Sequence, residues 1–292
     1  MVLNNGEKEV FDKLEKMTKE LTQGQYNYEI VSGGLGNNAF DILIEHIENQ
    51  IDFVNERQDS KKSFEIMKGF YNKLESDNLY NSYLQEKKEK DFFDVKKVSQ
   101  ASKSYHENVE KFKNSPDKER ELDSLCKLYA YSYERACRLY FKSFAKAIAK
   151  KEINSCGDCI DKIIDYYPDI EFVLRPFIPH IRNSIDHVDY YYIPKEDIIV
   201  FEDRKKPPIK ISLKKLRDIC TLQTVSDFCI STAYYAINLQ SYKTAQHYWK
   251  KTEEYCKILQ IDFNEIVLAW ALKGRNVLSL HNALEKMIKE QN

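Results

Sequence analysis

A mainly α-helical fold carrying one small β insert is predicted by three features of the sequence. Glycine and proline occur only eight and seven times in 292 residues, so few positions force the chain out of a helix. Apolar residues recur at three- and four-residue spacing over long stretches, the period of a helix with one buried face. One region alone, 190–211, carries short runs of β-branched and aromatic residues between turn signals.

The first helices are expected at about 7–22 and 38–57. Between them, the stretch 32–38 holds three glycines, yet no buried-strand pattern precedes it and no Lys-Ser/Thr pair follows, so it reads as a connector ending in an Asn N-cap rather than a phosphate cradle. Further helices are expected at 61–75, 78–89 and 91–113. Asn114, Ser115, Pro116 and Asp117 then combine a proline with a capping side chain, which sets a break and a domain boundary: an N-terminal helical region, 1–115, and a second domain, 116–292. The longest helical pattern follows at 117–151, with Leu122, Leu125, Leu128, Tyr129, Tyr133, Cys137, Tyr140, Phe141, Phe144 and Ile148 on a core stripe. Helices at 157–166 and 169–188 lead to the β-prone runs 190–193, 198–201 and 209–211, which read as a small hairpin inserted between helices. Helices at 213–239, 241–258 and 262–290 complete the chain.

With 42% hydrophobic and 13% aromatic residues, the chain has ample material for a packed core. Neither a secretory start nor an uninterrupted apolar stretch of about 18 residues is present, so the expected setting is cytoplasmic, without a membrane. The seven dispersed cysteines are odd in number and suit a reducing compartment better than a disulfide framework, and the pair Cys156 and Cys159 reads as packing plus a turn rather than a metal or redox site. The net charge of −1 argues against a wholly basic nucleic-acid coat. Charge is unevenly spread: residues 1–115 carry 17 basic and 21 acidic side chains, whereas 204–217 holds seven basic residues and no acid. That basic run contains Arg204, Lys205 and Lys206, and with Tyr190 and Tyr191 it is a candidate RNA-binding surface, because aromatic faces stack on bases and cations neutralise phosphates.

The chemistry concentrates in Arg182, Asn183, Ser184, Ile185, Asp186 and His187, followed by Tyr190, Tyr191 and Tyr192. Strand cleavage by the neighbouring 2′-hydroxyl of RNA needs a base, an acid for the departing oxygen, and positive charge on the phosphorane. A histidine exchanges protons near neutral pH, and an arginine presents a planar, permanently charged fork to phosphate oxygens. Five positions along a helix leave Arg182 and His187 about 140° apart, so convergence needs a curled arginine, an unwound helix end or a second protomer. Asn183 lies four residues before His187 and is a candidate support for the imidazole; Asp186, four after Arg182, is its candidate ion partner. No metal ligands and no cofactor are expected.

The segment 181–190 resembles the signature of the HEPN superfamily (higher eukaryotes and prokaryotes nucleotide-binding), an arginine, a polar residue and, four to six positions on, a histidine. The likeness extends over about 117–240: a lead-in at 174–179, an aromatic exit, a short hairpin and a further helix. It implies an all-α HEPN-like bundle that dimerises so that two motif helices form one composite site, with Arg182 and His187 as catalytic residues of a metal-independent endoribonuclease leaving 2′,3′-cyclic phosphate and 5′-hydroxyl ends. Toxin or antiviral-defence roles, with an antitoxin or defence-complex protein as partner, belong to the same implication. Family toxins controlled by nucleotidyl modification carry a tyrosine two positions after the histidine, where this chain has Asp189. Two rival expectations remain beside it: a non-catalytic nucleotide- or RNA-binding module, and a helical protein-interaction scaffold.

Overall fold

The computed structural model describes residues 39–87, 107, 110, 118–203, 206–272 and 277–291. The described residues are mostly helical. They belong to two compact units, one from Met1–Gln50 and Asn238–Asn292, the other Ile51–Ile237. The predicted boundary at 115/116 falls within the span Ile51–Ile237; it, the predicted helix 7–22, the connector 32–38 and all of 91–113 except 107 and 110 lie outside the described residues.

Helix α1 (Ala39–Asn55) begins in the span Met1–Gln50 and ends in the unit Ile51–Ile237, where α2 (Gln58–Ser76) buries Phe64, Met67, Phe70, Tyr71 and Leu74 at helical spacing. The next helix is described over 80–87. The predicted 117–151 helix is α3 (Lys118–Ala136), a π-helical turn (Cys137–Phe141) and α4 (Lys142–Ala149) in one run. The turn closes with the Lys142 N–H bonded to the Cys137 carbonyl, five residues back. Aromatic rings from these helices meet edge to face or stacked, Phe70 on Phe144 at 4.9 Å and Tyr83 on Phe144 at 4.6 Å.

After α5 (Cys156–Tyr166), the helix expected over 169–188 is interrupted. A 3-10 turn (Pro168–Ile170) and the short α6 (Glu171–Leu174) precede a gap that contains Pro176, and α7 (Pro179–Asp186) begins only at Pro179. The cause is steric. A residue before proline is pushed from helical to extended backbone, and Ile178 sits at φ −93°, ψ 107°, with Pro179 as the first helical residue. Its exposed-to-packing polar groups are satisfied by α3: the Tyr129 hydroxyl donates to the Ile178 carbonyl at 2.9 Å and accepts from the Ile178 N–H at 2.7 Å.

The predicted hairpin is a three-stranded antiparallel sheet, because all three β-prone runs pair: β1 (Tyr190–Ile193), β2 (Ile198–Asp203) and β3 (Lys206–Ser212), in that order. Tyr190 opposes Phe201, Val200 opposes Lys210, and the register shifts between Phe201 and Asp203, opposite Pro207 and Pro208, which lack the N–H a ladder needs. Ile199 and Phe201 are fully buried against the helices. The Ser212 hydroxyl then caps α8 (Leu213–Ile258), accepting from the Lys215 N–H at 3.1 Å. The break expected near 240 is absent, since Leu239, Gln240 and Ser241 contain no helix breaker.

One cysteine expectation is corrected. Cys137 and Cys156 form a disulfide, with Cα atoms 6.1 Å apart, and Cys126, Cys159, Cys220, Cys229 and Cys256 are buried thiols outside it. The helical hairpin from the π turn to α5 brings together two cysteines 19 residues apart that sequence spacing does not pair. Cys159 stays in the first turn of α5, behind an N-cap at Ser155 that accepts from the Asp158 N–H at 3.3 Å.

The other unit has its own apolar cluster, with Trp270, Leu284 and Ala283 fully buried among α8, α9 (Phe263–Leu272) and α10 (Val277–Gln291). The predicted 262–290 helix is thus described in two parts, with 273–276 outside the described residues. His281 is buried between the rings of Tyr248 and Tyr255, at 4.9 and 5.1 Å. Burial holds its pKa below the ordinary histidine value, opposed by Glu285 and reinforced by Lys251, His247 and Lys289. Among the described residues, no helix is long and apolar enough to cross a membrane.

Removing the Tyr129 hydroxyl leaves both polar groups of Ile178 without this partner, so Tyr129→Phe is expected to lower stability by about 1–3 kcal/mol, read as a lower urea midpoint at unchanged m-value. An unchanged midpoint would show that the bond does not hold α7. For His281, the folded protein refuses a proton that the unfolded chain accepts once pH drops below about 6.5. Stability is therefore greatest above that pH and declines as pH falls toward the folded value. Thermal melts at pH 7.5 and 5.5 should show a larger loss for the natural protein than for His281→Phe; equal losses would count against the assignment.

Candidate functional site

Three local bonds set the end of α7. The Asp189 N–H donates to the Ser184 carbonyl at 2.8 Å, the Val188 N–H to Ile185 at 3.2 Å, and the His187 N–H to Asn183 at 3.0 Å. The first two are the paired bonds of a Schellman stop, with His187 as C-cap and Val188 as the left-handed residue that follows, at φ 57°. This position ordinarily carries glycine, because a Cβ there crowds the backbone, most of all in a β-branched residue. Val188 holds it while 76% exposed, so burial contributes little to keeping it there.

The same turn is anchored to β2. The buried Ser184 hydroxyl lies 2.7 Å from the Glu202 carbonyl and 2.9 Å from that of His180. Glu202 returns its N–H to the Asp189 carbonyl at 2.9 Å, and the buried His180 ring bonds through Nε2 to the Phe201 carbonyl at 3.1 Å. His180, two residues before Arg182, is thereby committed to the helix–sheet joint.

Of the motif residues, His187 is exposed, and its imidazole has no hydrogen bond or ion pair among the described residues. Asn183 meets it through the main chain, its carbonyl accepting the His187 N–H. Arg182 turns toward its neighbours: Nη2 lies 2.8 Å from an Asp186 oxygen, the pair its spacing predicts, and 3.5 Å from Glu134 on α3. Each of these side chains is about one third exposed, at 33%, 38% and 35%, which limits each ion pair to about 0–1 kcal/mol. The Glu134 carboxylate also accepts from Arg138 Nε in the π turn. Glu134 and Arg138 are site neighbours that the sequence reading missed. Their four-residue spacing is visible in the sequence, but a link to Arg182, 48 residues from Glu134, is not.

The candidate RNA-binding residues separate. Tyr190 packs on Phe201 with ring centres 5.9 Å apart, and burial, with the neighbouring Cys126, pushes its phenol up to about 12. Tyr191 points the other way along the strand and is 50% exposed. Lys206 is exposed on β3; Arg204 and Lys205 lie outside the described residues. Lys210, opposite Val200, and Lys214 and Lys215 at the start of α8 are also exposed and extend the basic surface. Among the described residues, no group of three or more His, Cys, Asp or Glu side chains is arranged to hold a metal ion.

No family model, curated protein or solved structure matches the chain. The site therefore stands on its own geometry.

The left-handed valine provides a direct probe of that geometry. Val188→Gly removes a side-chain clash of about 1–2 kcal/mol at the cost of added unfolded-state entropy, so the variant should gain about 0.5–1 kcal/mol in urea unfolding. Destabilisation by a similar amount would refute the strained turn beside His187.

Proposed function

We propose that this chain is a HEPN-type, metal-independent endoribonuclease acting on single-stranded or loop RNA, as a toxin or antiviral-defence effector in the cytoplasm. The observation that carries the reading is His187, exposed and unpartnered among the described residues, directly capping the helix that bears Arg182. It joins the sequence likeness of 181–190 to the family signature.

In this mechanism His187 takes the proton from the 2′-hydroxyl, whose oxygen attacks the adjacent phosphorus while the bond to the 5′-oxygen breaks. A proton returned to that oxygen leaves 2′,3′-cyclic phosphate and 5′-hydroxyl ends. Arg182 neutralises the charge that builds on the phosphorane oxygens. Unpaired RNA is favoured because in-line attack requires a nucleotide rotation that a stacked duplex resists. A homodimer joining two copies of α7 supplies Arg182 from one protomer beside His187 from its partner, which removes the mismatch of a five-residue offset within one helix. Tyr191, Lys206 and Lys210 are exposed and suited to a base and to phosphates.

One observation favours a second reading. Arg182 already has two carboxylates on Nη2, an arrangement equally suited to a module that holds nucleotide or RNA without cutting it.

Cleavage of an RNA mixture in excess EDTA separates the two. The natural protein should cut, and His187→Ala and Arg182→Ala should each lose about 100-fold or more. Cutting that disappears with chelation, or persists in His187→Ala, would end the ribonuclease reading; RNA bound but never cut would favour the binding module.

A further inference from the structure

Beside the motif, two guanidinium groups converge on one carboxylate. Glu134 lies between Arg138, whose Nε it accepts, and Arg182, whose Nη2 is 3.5 Å from its other oxygen. Two different helical segments supply the cations: Arg138 stands in the π turn that follows α3, and Arg182 in α7. Such a carboxylate occupies the position at which the non-bridging oxygens of a phosphate would be held, because the planar fork of arginine fits both anions.

The arginines also have unused capacity. Arg182 bonds only through Nη2 and Arg138 only through Nε, so the remaining N–H groups of both make no hydrogen bond to the described residues. The resident ion pairs are easily exchanged. With side chains 33–37% exposed, water screens Glu134, Arg138 and Arg182, and pairs of this kind contribute only about 0–1 kcal/mol each. A phosphodiester reaching both cations replaces the carboxylate with an anion of equal charge whose two non-bridging oxygens can accept from the free donors. The buried Tyr133 hydroxyl has no hydrogen-bond partner among the described residues, and it feels the Arg182 charge.

We propose that Arg138 and Arg182 form one seat for a phosphate of single-stranded RNA, and that Glu134 fills this seat as an internal stand-in which the incoming strand displaces. The identity of the anion rests on the ribonuclease reading; the paired cations and their resident carboxylate do not. Arg138 is thus a binding residue outside the Arg182–His187 motif, and Glu134 sets the affinity by competing with substrate.

Binding is measured by fluorescence anisotropy with a 2′-O-methyl oligonucleotide, which lacks the attacking hydroxyl, using the full chain across a salt series. Glu134→Gln should tighten binding about tenfold, since it removes the competing charge at nearly constant shape. Arg138→Ala should weaken binding about tenfold and flatten the salt dependence by roughly one phosphate contact, with Arg138→Lys intermediate because it keeps the charge and loses the fork. Thermal melts identify any variant that fails to fold; if Arg138→Ala fails, Glu134→Gln decides alone. Unchanged or weaker binding by folded Glu134→Gln, natural affinity in folded Arg138→Ala, or no binding by any form overturns the proposal. Parallel assays on unmodified RNA separate it from the ribonuclease reading. Binding that follows Glu134 and Arg138 without strand cleavage keeps the seat and ends that reading, whereas cleavage with binding indifferent to both residues does the reverse.

Discussion

The two hydrogen bonds between the Tyr129 hydroxyl and the main chain of Ile178 hold the candidate site together. Ile178 is extended because proline follows it; its carbonyl accepts the Arg182 N–H at 3.2 Å as the first bond of α7, while its own N–H has no place in the helix. A fully buried tyrosine from α3 satisfies the donor and the acceptor at once. From that anchor α7 runs only eight residues before the Schellman stop and the bonds to β2 fix its other end. The Arg182 helix is thus fastened at its start to a helix and at its finish to a sheet.

This double attachment explains how the motif divides its roles. Ser184 and His180 are buried and consumed by the joint with β2, while His187 emerges at the cap, where the chain has already left the helix. Arg182 remains on the side toward α3 and meets Glu134 and Asp186. One short helix therefore presents structural and exposed polar residues in alternation. The strained Val188 turn falls directly after the imidazole, the kind of place where proteins retain unfavourable backbone when surrounding bonds overdetermine it.

Charge near the motif is arranged as a chain rather than as a basic patch: Arg138, Glu134, Arg182 and Asp186 alternate in sign. Such an arrangement keeps the cations in place while leaving them open to exchange, because no pair is buried deeply enough to be costly to separate. The exposed lysines of β3 and α8 lie in the concentrated basic run, where long-range attraction of a polyanion is to be expected.

Much of the helical pattern was legible from the apolar period of 117–151, and each β-prone run within 190–211 became a strand, because these signals are local: neighbouring side chains and backbone sterics suffice to produce them. The Arg182–Asp186 pair was legible for the same reason, four residues being one helical turn. The interruption before Pro179 is also written in the prolines, set within an apolar period that is helical on either side. Tertiary structure alone decided that Tyr129 caps Ile178, that Cys137 meets Cys156, and that Glu134 joins Arg138 to Arg182. Those contacts span 49, 19 and 48 residues, and no periodicity along the chain encodes which distant side chains packing will bring together.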